Sequence, residues 1–234
     1  AIVQAQAKAI DTVAPQAPEP ALAAVSNSGK SDTDTLTNVT NPTVRISFDT
    51  TSTDGSAVIV GDRLEVFNTG ISVGLYNLTE DDVARGYIDY SLAGLVDGNF
   101  FVSATVTDLA GNVSYVSSLV FEVDITPLVV SSAATAENID EISGAEQVVY
   151  TASVDGTDLW KYQLSEDSDS ALSIHPDTGE VTLATNPDYE TQSNYSFTLI
   201  AVDNAGNEGE QAVTLTINNL DEVAPTVTSG DTAA

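Results

Sequence analysis

A short acidic mark recurs three times along the chain. It reads Asp11-Thr12-Val13-Ala14-Pro15, then Asp124-Ile125-Thr126-Pro127, then Asp221-Glu222-Val223-Ala224-Pro225. The marks begin at positions 11, 124 and 221, so 113 and 97 residues separate them. A turn rich in glycine and asparagine precedes each of the last two. Asp108-Leu109-Ala110-Gly111-Asn112 stands sixteen residues before the second mark, and Asp203-Asn204-Ala205-Gly206-Asn207 eighteen before the third. Punctuation repeated at this interval predicts two modules of roughly 100 residues strung in series, each large enough for its own core. It also gathers carboxylates at the joints, where a chain has no structural need of them.

Composition sharpens that reading. The chain of 234 residues has 35 Asp and Glu against 6 Lys and Arg, a formal charge of -29. Such a surface repels phosphate backbones and anionic lipid, which argues against nucleic acid as a partner. Hydrophobic residues make up 42%, so the acid does not belong to a disordered tail. There is no cysteine, hence no disulfide framework and no thiolate chemistry. No stretch approaches the 18 apolar residues of a membrane span, and Ala1 to Ile10 lacks the basic start and apolar run of a signal peptide.

Between the marks the pattern is that of strands. Val44, Ile46 and Phe48 alternate with polar neighbours; Leu64 and Val66 follow, then Tyr87 to Tyr90, Phe100 to Thr107 and Leu119 to Val123. The second half repeats the habit in Val148 to Tyr150, Trp160-Tyr162-Leu164, Val181 and Leu183, Tyr195 to Ala201, and Val213 to Ile217. Period two places one face of each strand on a core, and the turns between runs carry Gly, Asn, Asp and Pro. Only Thr79 to Arg85 hints at a helical turn. The fold class expected is all-β: two tandem Greek-key β-sandwiches joined by short acidic linkers. Residues 1–27 are assigned to a tail and linker from a preceding module, 28–126 and 127–225 to the two sandwiches, and 226–234 to the start of a next linker. Both ends therefore read as cut from a longer chain.

The second sandwich resembles a cadherin-like repeat. The resemblance rests on Glu137-Asn138, the Asp177-Thr178-Gly179-Glu180-Val181 turn after Ile174, Asp188-Tyr189-Glu190, Ala201-Val202-Asp203, and Asn219-Leu220-Asp221 before Pro225. The first resembles a bacterial Ig-like repeat, through Asp32-Thr33-Asp34 before Asn41-Pro42-Thr43, Asp97-Gly98-Asn99-Phe100, the Asp108 turn and the Asp124 mark. Together they look like a stretch of a large calcium-dependent, RTX-type (type I-secreted) bacterial surface adhesin. This resemblance implies several Ca²⁺ ions, mainly at the junctions. Glu137, Asp188, Glu190, Asn219 and Asp221 would face the downstream junction. Asp155, Asp158 and Asp203 would meet Asp124 at the internal one, and Asp32, Asp34 and Asp108 would meet Asp11 at the first. Two departures stand out. Tyr189 takes a place where cadherins often have Arg, and the linker reads Asn-Leu-Asp-Glu, which implies fewer ions.

These residue types suit the task. Calcium takes six to eight oxygens, more than one strand end supplies, so ligands from a linker and two modules must hold one geometry to bind it. The expected function is a calcium-rigidified spacer, extracellular on a bacterial surface, that projects distal binding domains for cell adhesion or biofilm formation. Its partners would be neighbouring repeats of the same chain and, through other domains, a surface or matrix ligand; the segment itself is expected to be a monomer without membrane insertion. The alternative is that the cadherin-like module is itself a ligand- or self-binding domain.

Plainer readings compete for individual motifs. One DxAGN turn needs no metal, and much of the acid serves solubility. Asp177-Thr178-Gly179 spells an aspartic-protease signature but lacks the second copy that a carboxylate dyad requires. His175 is the only histidine, and no nucleophile–base pair is visible, so no enzyme is expected. Trp160 and Tyr162 could stack on a sugar, but their alternation with Leu164 favours core packing.

Overall fold

The computed structural model describes residues 10–222, which form two compact units that meet in sequence between Thr126 and Pro127. The third mark from Val223 onward, the terminal segment 226–234 and residues 1–9 lie outside the described residues.

The first unit is a β-sandwich. Its strands are β1 (Glu19–Leu22), β2 (Leu36–Thr37), β3 (Thr43–Ser47), β4 (Arg63–Asn68), β5 (Ile71–Asn77), β6 (Tyr87–Ser91), β7 (Gly98–Thr107) and β8 (Ser117–Val123). One sheet has the order β1-β3-β6 and the other β2-β8-β7-β4-β5. Alternation decides which residues face inward: Val44 and Ile46 on β3, Leu64 and Val66 on β4, Val102, Ala104 and Val106 on β7, and Phe121 and Val123 on β8 form one buried cluster. A short helix, α1 (Glu80–Arg85), is closed by a capping box between Thr79 and Asp82 and by Gly86 at φ 75°. Strand β1 differs from the sequence reading, which gave residues 1–27 to a tail and linker. It pairs antiparallel with β3, Pro20 opposite Ile46. Proline is tolerated there because β1 is an edge strand.

The loop after β3 sets a pH test. Asp49 accepts hydrogen bonds from the Ser52 hydroxyl, the Thr51 amide at 2.7 Å and the Thr51 hydroxyl at 2.8 Å. These hold its pKa at about 2, against an ordinary 3.8, the Ser52 hydroxyl contributing most. A carboxyl lowered on folding stabilises the fold above its unfolded value, and that stabilisation is lost as pH falls from 3.8 toward 2. The side-chain carboxyl ¹³C shift of Asp49 is therefore expected to titrate with a midpoint near 2, and Asp49→Asn should flatten acid destabilisation over that window. A midpoint near 3.8 would count against the loop as described.

The second unit is also a β-sandwich, with a small additional ladder. It contains β9 (Val129–Val130), β10 (Ile139–Asp140), β11 (Gln147–Thr151), β12 (Val154–Asp155), β13 (Leu159–Leu164), β14 (Leu172–Ile174), β15 (Glu180–Leu183), β16 (Asn194–Asp203) and β17 (Glu208–Asn218). The sheets run β10-β17-β16-β13 and β11-β15-β14, and β9 pairs with β12. Val181, Leu183, Leu199, Ala201, Val213, Leu215 and Ile217 are buried between them. The Asp177-Thr178-Gly179 motif is the turn into β15. Gly179 has φ 71°, and a Cβ there would sit 2.9 Å from both Ala152 and the Tyr162 ring, so the turn admits no larger residue without displacement. His175 is exposed in the same turn, its Nδ1 accepting from the amides of Asp177 and Thr178. Tyr162 is in the core, but Trp160 is only half-buried and lies under the Lys161 ammonium, 4.6 Å away. A register shift between Leu159 and Lys161 interrupts the alternation there, and Leu159 packs on the core instead.

Candidate metal centre

The C-terminal end of the second domain gathers acids from three separate stretches. β10 lies parallel to β17, with Asp140 opposite Asn218, so the residue after β10 is brought beside the chain that leaves β17. That residue is Glu141. Its amide donates to the Asn218 carbonyl, and the next amide, of Ile142, donates to the Pro187 carbonyl at 2.9 Å, which fixes the loop carrying Asp188 and Glu190. Carboxylate oxygens of Glu141, Asp188 and Glu190 lie within 4.8 Å of one another.

Each carboxylate is held in place. Glu141 is 1% exposed; its Oε1 accepts from the Leu220 amide and its Oε2 from the Tyr189 amide at 3.0 Å. Those two amides, the Leu220 one foremost, keep its carboxyl below the usual range, although Asp188 pushes the other way. Asp188 is lowered by the Thr191 hydroxyl at 2.8 Å and the Thr191 amide at 3.0 Å. Glu190 accepts from the Asn219 amide group at 2.9 Å. Glu222 lies close enough to feel all three: burial raises its pKa, and the charges of Glu141, Glu190 and Asp188 raise it further. A site of clustered anions, with oxygen donors and neither histidine nor thiolate, fits a hard cation such as Ca²⁺ and does not fit zinc.

The early glutamate departs from the sequence reading. Glu137 is exposed and is not part of this group; Glu141, the residue after β10, is the glutamate that joins Asp188 and Glu190. Glu222 was likewise not singled out. Asn219 and Asp221 are both exposed, Asn219 bonded to the cluster and Asp221 directly after Leu220.

At the other end of the same domain, Asp203 closes β16 and is fully buried, opposite Leu159 in the ladder. Carboxylate oxygens of Asp158 and Asp203 come within 4.8 Å of each other. Asp155 is exposed on β12 and belongs to neither group. In the first domain, Asp124 follows β8 and accepts from the Thr126 amide at 3.0 Å. Asp108 folds its turn by accepting from the amides of Ala110 and Asn112 and from the Asn112 side chain. That side chain also donates to the Asp11 carbonyl at 3.3 Å, which ties the first mark to the turn. Asp32 and Asp34 are exposed, Asp34 accepting from the Leu36 amide, and neither joins a group of three acids among the described residues.

Comparison with known proteins assigns both sandwiches. Residues 12–125 match the family model of the bacterial Ig-like domain, and residues 135–218 that of the cadherin domain. No curated protein matches the chain. Among solved structures, it is similar to the human desmocollin-1 ectodomain (16% identity, TM-score 0.35, 74% of this chain and 36% of that one). It is also similar to mouse cadherin-23 EC22-24 (16%, TM-score 0.38, 88% and 68%). Fibronectin(III)-like modules of Clostridium thermocellum CbhA match at 10% identity and TM-score 0.45, over 90% of this chain and 100% of that one. The chain spans about a third of the desmocollin ectodomain, and none of these likenesses bears on what it binds. No catalytic family is matched, and among the described residues no helix is long and apolar enough to cross a membrane. The chain carries a bacterial Ig-like domain followed in tandem by a cadherin domain.

Proposed function

We propose that this chain is a calcium-rigidified extender segment of a bacterial cell-surface adhesin of the RTX, type I-secreted kind. It stands outside the cell and projects distal binding domains for adhesion or biofilm formation. The observation that carries this reading is the convergence of Glu141, Asp188 and Glu190 where the chain leaves the cadherin domain. The Leu220 amide and Asn219 side chain are bound to two of those carboxylates. Cadherin domains generally bind calcium, and here the acids and the outgoing linker are one structure. A cation on these acids would supply positive charge that offsets their repulsion, and in doing so would fix the direction in which residues 219–222 leave. Asp221 and a following repeat of the same chain would complete the shell. At the internal junction the ligands in this reading are Asp124, Asp155, Asp158 and Asp203; at the first they are Asp11, Asp32, Asp34 and Asp108. Extracellular modules of this sort bind at about 10⁻⁴–10⁻³ M, matched to the outside of a cell.

Small-angle X-ray scattering in millimolar calcium and again in EGTA tests the proposal. Calcium is expected to narrow the ensemble to a rod two domains long, and Asp124→Ala to restore part of the EGTA profile in calcium. Superimposable profiles would reduce the acids to a solubility device.

A second reading, the cadherin domain as a ligand- or self-binding module, has one observation in its favour. A groove of about 390 Å³ lies between Ser132–Glu137 and β11, bordered by Val148 and Tyr150. Self-association seen by size exclusion in calcium would favour that reading over the extender.

A further inference from the structure

The two outer faces of the Ig-like sandwich differ in chemistry. The face of β3 and β6 is charged, with Arg45 ion-paired to Asp89 across the ladder. The face of the five-stranded sheet carries an apolar row instead. Val120 on β8 stands directly opposite Phe101 on β7, and they are 56% and 40% exposed. Phe67 on β4 lies diagonal to Phe101, since it is paired with Ser103. The row ends on β5 at Val73 and Leu75, 41% and 57% exposed. Tyr76, one residue on, turns to the core. Single exposed apolar side chains are ordinary, but a connected row across four strands marks a contact surface.

Strand β5 is also the open edge of that sheet. It pairs with β4, and among the described residues no other backbone group bonds residues 71–77. An open edge is a template for a further strand, and chains ordinarily guard it with Lys, Pro or charge. None stands here: residues 66–79 are the longest uncharged run in the chain. The guard present is a bulge, with Val73 the extra residue opposite Phe67, and it leaves Gly74 to Asn77 in regular register. Charge decides what fits this edge. With 35 Asp and Glu against 6 Lys and Arg, a basic partner is drawn to the acidic surfaces elsewhere, and a second copy is repelled by them. Along β5 a copy meets no like charge. Antiparallel pairing is also self-complementary: about a two-fold axis at Leu75, that residue faces its own counterpart, Gly74 faces Tyr76 and Val73 faces Asn77.

We propose that two copies of this chain associate through β5 of their Ig-like domains, the edges pairing antiparallel so that two five-stranded sheets become one. The apolar row from Val120 to Leu75 then continues across the axis into its copy. Because the bulge shortens the ladder, the contact is small and belongs to the weak, reversible class. Pairing of this kind departs from the monomer expected from the sequence. It needs no metal, so it stands or falls apart from the calcium reading.

The test is sedimentation velocity of the full chain over a concentration series, in EGTA and in calcium. A reversible monomer–dimer equilibrium is expected in both buffers. Added sodium chloride should strengthen it by screening the repulsion between two acidic bodies. Hydrogen exchange at the amides of residues 71–77 should slow as the chain is concentrated. Leu75→Lys sets like charges on the axis and should weaken the dimer at least about tenfold; Val73→Lys serves if that variant does not fold. Val148→Lys, on the cadherin groove, should leave the dimer unchanged. Association that appears in calcium alone, disappears in Val148→Lys and ignores Leu75→Lys belongs to that groove and overturns the β5 pair. A monomer at every concentration overturns it too, and leaves the edge to a different chain or to none.

Discussion

Glu141→Gln is expected to remove the calcium-dependent part of the cadherin domain's stability and to lower its melting temperature in EGTA as well. The reason lies in its two jobs. Each of its oxygens accepts one backbone amide, from Tyr189 and from Leu220, and the amide nitrogen of Gln can serve neither. One buried N–H is then left without an acceptor, whatever the metal. Glu190→Gln is the control. Glu190 is exposed and its Oε1 accepts from the Asn219 side chain, so its replacement should lower the EGTA melt far less than Glu141→Gln does and weaken calcium roughly ten- to a hundredfold. For the unmodified chain, calcium at a hundredfold excess over its dissociation constant adds about 2.7 kcal/mol. For a domain of this size that is a shift on the order of 10–20 °C. Scanning calorimetry in 10 mM calcium and in EGTA reads both numbers. Equal melting temperatures in the two buffers for the unmodified chain would remove the metal from the account of this cluster.

Leu199→Ala should have the largest effect on the fold itself. Leu199 is 0% exposed, in the middle of β16, with β13 on one side and β17 on the other through Leu164 and Gln211. Ladders on both sides hold β16 in place, so the space left behind closes only in part and the loss should be about 3–5 kcal/mol. Against a typical total of about 5–15 kcal/mol, that brings the domain close to unfolding at physiological temperature. Trp160 is the only tryptophan and sits on β13 of this domain. Its fluorescence therefore follows the cadherin domain alone, and its unfolding midpoint in urea should fall sharply in the variant. A shift worth less than about 1 kcal/mol would mean that β16 is not the central strand described, since buried Leu to Ala changes run well above that.

Much of this architecture is legible from local sequence. Val44-Ile46, Leu64-Val66, Val181-Leu183 and Val213-Leu215-Ile217 alternate because a strand turns every second side chain to the same face, and in the structure all of them are buried. Thr79 and Gly86 mark the ends of α1 through cap chemistry that spans a single turn of chain. Where a local rule is broken, the reading slips. The bulge before Lys161 moves Trp160 off the core, and β1 hides in a proline-rich stretch whose composition is that of a linker.

The candidate site obeys different physics. Glu141 bonds residues 48 and 79 positions away; nothing in its own neighbourhood says so, and Glu137 has the same local chemistry. What separates them is the parallel pairing of β10 with β17, which carries position 141 and not position 137 to the end of the sheet. Asp62 is similar: a turn-like Gly-Asp in sequence, it is buried where the 59–62 loop meets the Asp108 turn. By itself, then, the sequence determined the strands, the two-module plan and the acidic marks, because alternation, capping and turns act over a few residues. Which carboxylates share a charge environment was decided by the tertiary structure alone, because strand order and register set distances between residues far apart in the chain.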